Sequence, residues 1–187
     1  LRNLPFTLQM GAEDHQHNRS GEAQRYSEIL ADLQADDPEG YDHWVEIYEG
    51  KGHWMDFEDA AAVPWMLDRT RDLRPNRVVW RVMGGATRAY WLSQDAPQPG
   101  GRVVVELEGQ SIHVVEAEQI DTLTFRLDDT MLDLDRAVRV YRDGALYFEG
   151  LVPRSRDTIA RTLAERGDPS GIFTAELTVD FLGEPLD

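Results

Sequence analysis

The sequence predicts two kinds of fold in one chain, an α/β segment followed by an all-β domain. From residue 1 to about 70, apolar runs switch between strand and helical spacing, the βαβ rhythm of a parallel sheet. From residue 77 onward, short alternating runs recur between turn signals, the pattern of an antiparallel β-sandwich. Between the two, "RDLRPN" at 71–76 is polar and contains a proline. The boundary falls there, giving domains 1–72 and 73–187.

The first strand is "FTLQM", residues 6–10, a short apolar run of the buried kind. Ser20 is placed as a helix N-cap. Behind it Ala23, Tyr26, Leu30 and Leu33 fall at helical spacing and form one apolar stripe. "DDPEG" at 36–40 stops that helix. "HWVEIYE" at 43–49 reads as the second strand, with Val45 and Ile47 on one face and Trp44 and Tyr48 on the other. A glycine-flanked loop carries His53. A helical segment is then expected from near Asp56, with Pro64 marking a kink or a fresh start.

In the second domain the strand candidates are "RVVWRV", "RAYWLS", "RVVVELE", "SIHVVEA", "TLTFRL", "AVRVYR", "ALYFEG" and "FTAELTVD". Asp143-Gly144 between two of them is a strong hairpin signal. One helix interrupts the strands. Ser155 caps it, Ile159 and Leu163 are expected to face inward, and Gly167 ends it.

The totals exclude several function classes. The formal net charge is −16, with 35 acids against 19 bases. A nucleic-acid binder displaces counterions with a basic face, so nucleic acid and anionic membranes are rejected as partners. No apolar run approaches the roughly 20 residues that span a bilayer. With no cysteine there is no disulfide, thiolate metal site or cysteine nucleophile. The chain starts at Leu1 with no leader, and is expected to be the middle or end of a longer protein, so its compartment stays open.

Asp14 lies just past the first predicted strand and His53 just past the second. In a parallel sheet the loops leaving neighbouring strands meet across a crevice. An aspartate beside a histidine fixes its tautomer and stabilises the imidazolium formed on proton uptake. Gly52, directly before the ring, is expected to let the backbone turn sharply or pass close to another segment. Glu13 is the competing acid. His15, His17, Asp14 and His53 also have the chemistry of an N/O metal site, although a loop does not hold that geometry. The acidic run "DDTMLDLD" at 128–135 lacks the glycine and closing glutamate of a calcium loop and reads as a solvated turn. Trp80, Trp91, Trp54 and Trp65 invite a carbohydrate-binding reading, against which stands ordinary aromatic packing.

"NLPFTLQMGAEDHQHNR" at 3–19, followed by "YEGKGHWM" at 48–55, resembles the C-terminal part of the α/β-hydrolase fold. More narrowly it is similar to the esterase and dienelactone-hydrolase-like group of bacterial proteins with an appended β-domain, whose start "PNRVVW" and "RAYWL" resemble. The resemblance implies that Asp14 is the triad acid and His53 the triad histidine, in the hydrolase order of acid before histidine. It implies acyl transfer on a carboxylic ester with no cofactor. The nucleophile it requires, a serine in a G-x-S-x-G elbow, is not in these 187 residues. Two expectations follow. The chain alone is inactive as an esterase, and the strand at 6–10 pairs with the missing N-terminal hydrolase segment or with a second copy.

Overall fold

The structure is a computed structural model that describes residues 1–97 and 99–186. The chain divides into two compact units, Leu1–Asp72 and Leu73–Asp187. The architecture is mixed α/β, mostly strands, with a few helices and, among the described residues, three sheets.

The first unit contains strand β1 (Phe6–Gly11), helix α1 (Arg19–Asp36), strand β2 (His43–Tyr48) and a 3-10 turn (Glu58–Ala61) running into short helix α2 (Ala62–Leu67). β1 and β2 are parallel, with Phe6 opposite His43 and Gly11 opposite Tyr48. Their C-terminal ends are therefore level, which sets the loops that follow side by side. Among the described residues this sheet has two strands, so one edge of each is unpaired.

Two expectations for this unit are corrected. Ser20 is not the cap. Asn18, in the left-handed region at φ 58°, precedes α1 and makes no side-chain capping bond, while Ser20 lies in the first turn and donates its amide to the Asp14 carbonyl. The apolar stripe is buried only in part. Ala23 and Leu30 are covered, whereas Tyr26 and Leu33 stay exposed. An 18-residue helix is about 27 Å long, and two strands offer a platform only about 10 Å wide. Pro64 marks a fresh start, since the 3-10 turn Glu58–Ala61 gives way to α2 at Ala62. It sits in the first turn of α2, where its missing N–H costs nothing.

The second unit contains β3 (Arg77–Arg81), β4 (Arg88–Ala89), β5 (Leu92–Ser93), β6 (Arg102–Glu108), β7 (Ser111–Glu118), β8 (Thr122–Leu127), β9 (Val138–Arg142), β10 (Ala145–Gly150), α3 (Arg156–Arg166) and β11 (Ala175–Asp180). A five-stranded sheet, ordered β10-β9-β7-β6-β3, and a four-stranded sheet, ordered β11-β8-β5-β4, enclose one core. Val78, Val105, Ile112 and Val140 from the first sheet join Leu92, Leu123, Phe125 and Val179 from the second. At its centre Trp91 is fully buried, and its indole N–H donates to the Pro75 carbonyl at 2.9 Å.

The sandwich is not wholly antiparallel, because β7 and β9 pair in parallel. "RAYWLS" is not one strand. Tyr90, at φ 55°, breaks it into the two short strands β4 and β5, which pair as a hairpin. Asp143 and Gly144 both take positive φ and join β9 to β10 antiparallel, the geometry of a tight hairpin turn. α3 starts at Ser155, whose hydroxyl accepts from the Thr158 amide, and ends at Gly167 with φ 62°. Its buried face differs from the expected one. Thr158 and Thr162 point inward and Leu163 outward. Thr162 is tolerated there because its hydroxyl donates to the Thr158 carbonyl at 2.8 Å and accepts from the Phe173 amide at 3.1 Å.

The acidic run 128–135 is occupied by arginines. Arg74 takes Asp128, while Arg154 binds Asp129 and Asp135 and holds both carboxyls below the usual carboxylate range. Those oxygens are committed to cations already in the fold.

Candidate active site

Asp14 and His53 meet. The Asp14 Oδ2 lies 2.8 Å from the His53 Nδ1. The two residues are 39 apart in sequence and reach one another because β1 and β2 end level. The loops after the strands are stitched by backbone bonds. The Ala12 amide donates to the Tyr48 carbonyl at 2.9 Å, and the Glu13 amide to the Lys51 carbonyl at 2.8 Å. The Lys51 ammonium binds Asp56 at 3.0 Å and Glu58 at 2.7 Å, tying the far side of the His53 loop. Tyr48 donates its hydroxyl to Gln9 on β1 at 2.7 Å.

The two partners differ in solvation. The Asp14 side chain is 3% exposed and that of His53 78%. Asp14 is held below the usual carboxylate range, first by the hydrogen bond to His53, against desolvation, and with help from Arg19. Arg19 Nη1 lies 3.3 Å from Asp14 Oδ1 and 3.4 Å from His53 Nδ1. The two contacts to Nδ1 cannot both be hydrogen bonds in one tautomer. When Nδ1–H donates to Asp14, Nδ1 has no lone pair for Arg19, and Arg19 acts on the pair through its charge. That tautomer leaves the His53 Nε2 as the basic nitrogen. Among the described residues no partner occupies it.

Glu13, the competing acid, is exposed and contributes its backbone rather than its carboxylate. His15 turns to Ser20 and does not join His53. Among the described residues no group of three or more His, Cys, Asp or Glu side chains could hold a metal ion. The backbone at Gly52 does pass close to another segment, β1 at Gly11, but nothing at residue 52 itself requires a glycine. A Cβ there would meet nothing within 4 Å, and its φ is not positive. The demanding position is Gly11, at the end of β1. A Cβ on Gly11 would lie 2.1 Å from the Gly52 carbonyl oxygen and 2.5 Å from that of Lys51. The absence of a side chain at residue 11 is what lets the His53 loop lie against β1.

No protein-family model matches the chain, and comparison with the curated proteins and with the solved structures found no significant match.

The tryptophans divide by position. Trp80 and Trp91 are core residues, 6% and 0% exposed, and cannot serve as a sugar-stacking platform. Trp65 packs against Trp44 and lies under the Arg69 guanidinium, 3.5 Å from ring centroid to carbon. Trp54 and Phe57 are 67% and 72% exposed and meet edge to face beside His53, with ring centroids 5.1 Å apart. Two residues of this site escaped the sequence reading. Arg19 carried a signal, since a cation five residues after Asp14 is within reach across the tight turn at 15–18. Gly11 carried none, because a glycine ending a strand does not announce which segment passes over it.

Proposed function

We propose that this chain supplies the acid and the histidine of a serine hydrolase acting on carboxylic esters, in the manner of the C-terminal part of an α/β-hydrolase. The observation that carries the reading is the 2.8 Å bond between a buried carboxylate and an exposed imidazole on the level ends of two parallel strands. In this role Asp14 accepts from Nδ1–H and fixes the ring. Nε2 takes the proton of the nucleophilic hydroxyl as it attacks the ester carbonyl, and Asp14 stabilises the resulting imidazolium. The same nitrogen returns the proton to the departing alkoxide. A second proton cycle with water frees the acid.

The nucleophile comes from outside these 187 residues, which contain no G-x-S-x-G. The openness of the site agrees with this division. His53 presents Nε2 to solvent, where a further segment would bring the serine and the oxyanion donors. The unpaired edge of β1 fits the same picture, since unpaired edges recruit strands, and the expected partner is the N-terminal hydrolase segment. The rival reading is a non-enzymatic interaction module in which a second copy takes that edge.

The test is p-nitrophenyl ester hydrolysis. The chain alone should show no turnover above buffer. Joined to the polypeptide that carries the elbow serine, it should turn over, with His53→Ala losing on the order of 10⁶ and Asp14→Asn on the order of 10⁴ in kcat. Full activity in both variants would end the triad assignment, and an inert complete domain would leave the interaction module.

A further inference from the structure

The second unit carries a recess that nothing in the hydrolase reading uses. Along β8, Leu123, Phe125 and Leu127 enter the core, which sends Thr122, Thr124 and Arg126 to the opposite face. Side chains on the outer face of a sandwich normally meet water. Here Thr124, Arg126 and the neighbouring Ser93 and Gln94 are all more than nine-tenths buried. They form the floor of a cleft of about 440 Å³, within the size range of small-molecule sites. α3 contributes Arg161 and Glu165 to its wall, and β11 contributes Glu176 and Thr178.

The buried charges in this cleft are already spent on one another, while Asp95 stands exposed at its edge. Arg126 gives Nε to Glu176 at 3.1 Å and both terminal nitrogens to Glu165, at 2.6 and 3.1 Å. Arg161 binds Glu176 through both of its terminal nitrogens. Burial works against ionisation of Glu165, yet Arg126, Arg88 and Arg161 hold it below the usual carboxylate range. An anion or cation reaching the floor would have to break these pairs.

What remains unspent on the buried floor is neutral. The Gln94 amide nitrogen donates to the Thr122 carbonyl at 3.1 Å, but Oε1 is buried without a hydrogen-bond partner. The Thr124 and Thr178 hydroxyls share one bond at 2.8 Å, which uses one of their two protons. Among the described residues the Ser93 hydroxyl makes no hydrogen bond. Buried polar groups are as a rule satisfied, so the unsatisfied Gln94 Oε1, with the spare hydroxyl capacity beside it, signals a missing partner.

We infer that this cleft binds a small neutral polyhydroxylated ligand, a sugar of one or two rings. Ligand hydroxyls donate to Gln94 and Asp95 and accept from Ser93 and the threonines. Among the described residues no aromatic ring lines the cleft, so hydrogen bonds alone carry the affinity, which places it in the millimolar range.

The test is a ¹H–¹⁵N titration of the whole chain with methyl glucoside, methyl galactoside and methyl xyloside, with glucuronate and glucosamine as charged controls. At least one neutral glycoside should give saturable millimolar shifts at Gln94, Thr124 and Thr178. Thr178→Val, nearly isosteric and on an exposed position, should weaken that binding at least fivefold while leaving the core resonances in place. Gln94→Ala should do the same. The inference is overturned if none of the three glycosides gives a saturable shift at these residues. It is equally overturned if the charged sugars bind as well as the neutral ones, or if binding survives Thr178→Val unchanged.

Discussion

Replacing Gly11 by alanine should displace the His53 loop, and replacing Gly52 by alanine should not. The room available to an added methyl group sets the size of the effect. A carbon and a carbonyl oxygen normally come no closer than about 3.3 Å, whereas a Cβ on Gly11 would lie 2.1 Å from the Gly52 oxygen. Either β1 or the loop must therefore move by roughly 1 Å. The obstructing atoms are backbone, so no side-chain rotation relieves the clash, and a cost of about 1–3 kcal/mol is expected. The movement acts on the Glu13-to-Lys51 bond at 2.8 Å and on the Asp14–His53 bond of the same length, both of which it stretches beyond hydrogen-bonding range. Amide exchange reads this directly. The Glu13 amide should exchange about tenfold faster in Gly11→Ala, the loss expected for one hydrogen bond, and at the wild-type rate in Gly52→Ala. Wild-type protection of Glu13 in Gly11→Ala, or its loss in Gly52→Ala alone, would rule out Gly11 as the contact point.

Other predictions concern charge and core. Because His53 holds the Asp14 carboxyl below its ordinary value, the pair stabilises the fold above the unfolded carboxylate pKa of about 3.9, and that contribution is lost as pH falls through the lower folded value. A ¹³C titration of Asp14 should show the low midpoint, and His53→Ala should raise it; an unmoved midpoint would remove the hydrogen bond as its leading cause. Arg126→Met takes from Glu165 and Glu176 the most buried of their cations and leaves them Arg88 and Arg161, and denaturant unfolding of the second unit should lose about 1–3 kcal/mol. Phe125→Ala removes a fully buried ring that faces Trp91 and should cost about 3–5 kcal/mol in the same measurement.

The division of the chain was legible because the hydrophobic period changes at a polar, proline-containing segment. Asp143-Gly144 announced its hairpin because both residues accept positive φ. The misreadings share a cause, which is that tertiary context decides what local pattern leaves open. "RAYWLS" alternates like one strand, but Tyr90 turns and sends Trp91 into the core. Ile159 and Leu163 look like the inner face of α3, but Ile159 is only half-buried, Leu163 is exposed, and two threonines are buried instead, one of them with its hydroxyl bonded on both sides. β7 and β9 run parallel because the chain between them crosses to the other sheet as β8, a crossover that no residue of either strand encodes. At the candidate site, Asp14 and His53 could be named because each follows a strand. The geometry of Gly11 belongs to two segments at once, and neither shows it alone.

The bond between Asp14 and His53 underlies the whole functional reading, and long-range ¹H–¹⁵N correlation of the His53 imidazole observes it without an assay. In its neutral form the wild-type ring should carry its proton on Nδ1 and leave Nε2 as the lone-pair nitrogen, and Asp14→Ala should return it to the mixed tautomers of a free histidine. A wild-type ring that already shows the free pattern, or one that Asp14→Ala leaves unchanged, is incompatible with an acid–histidine pair at this site.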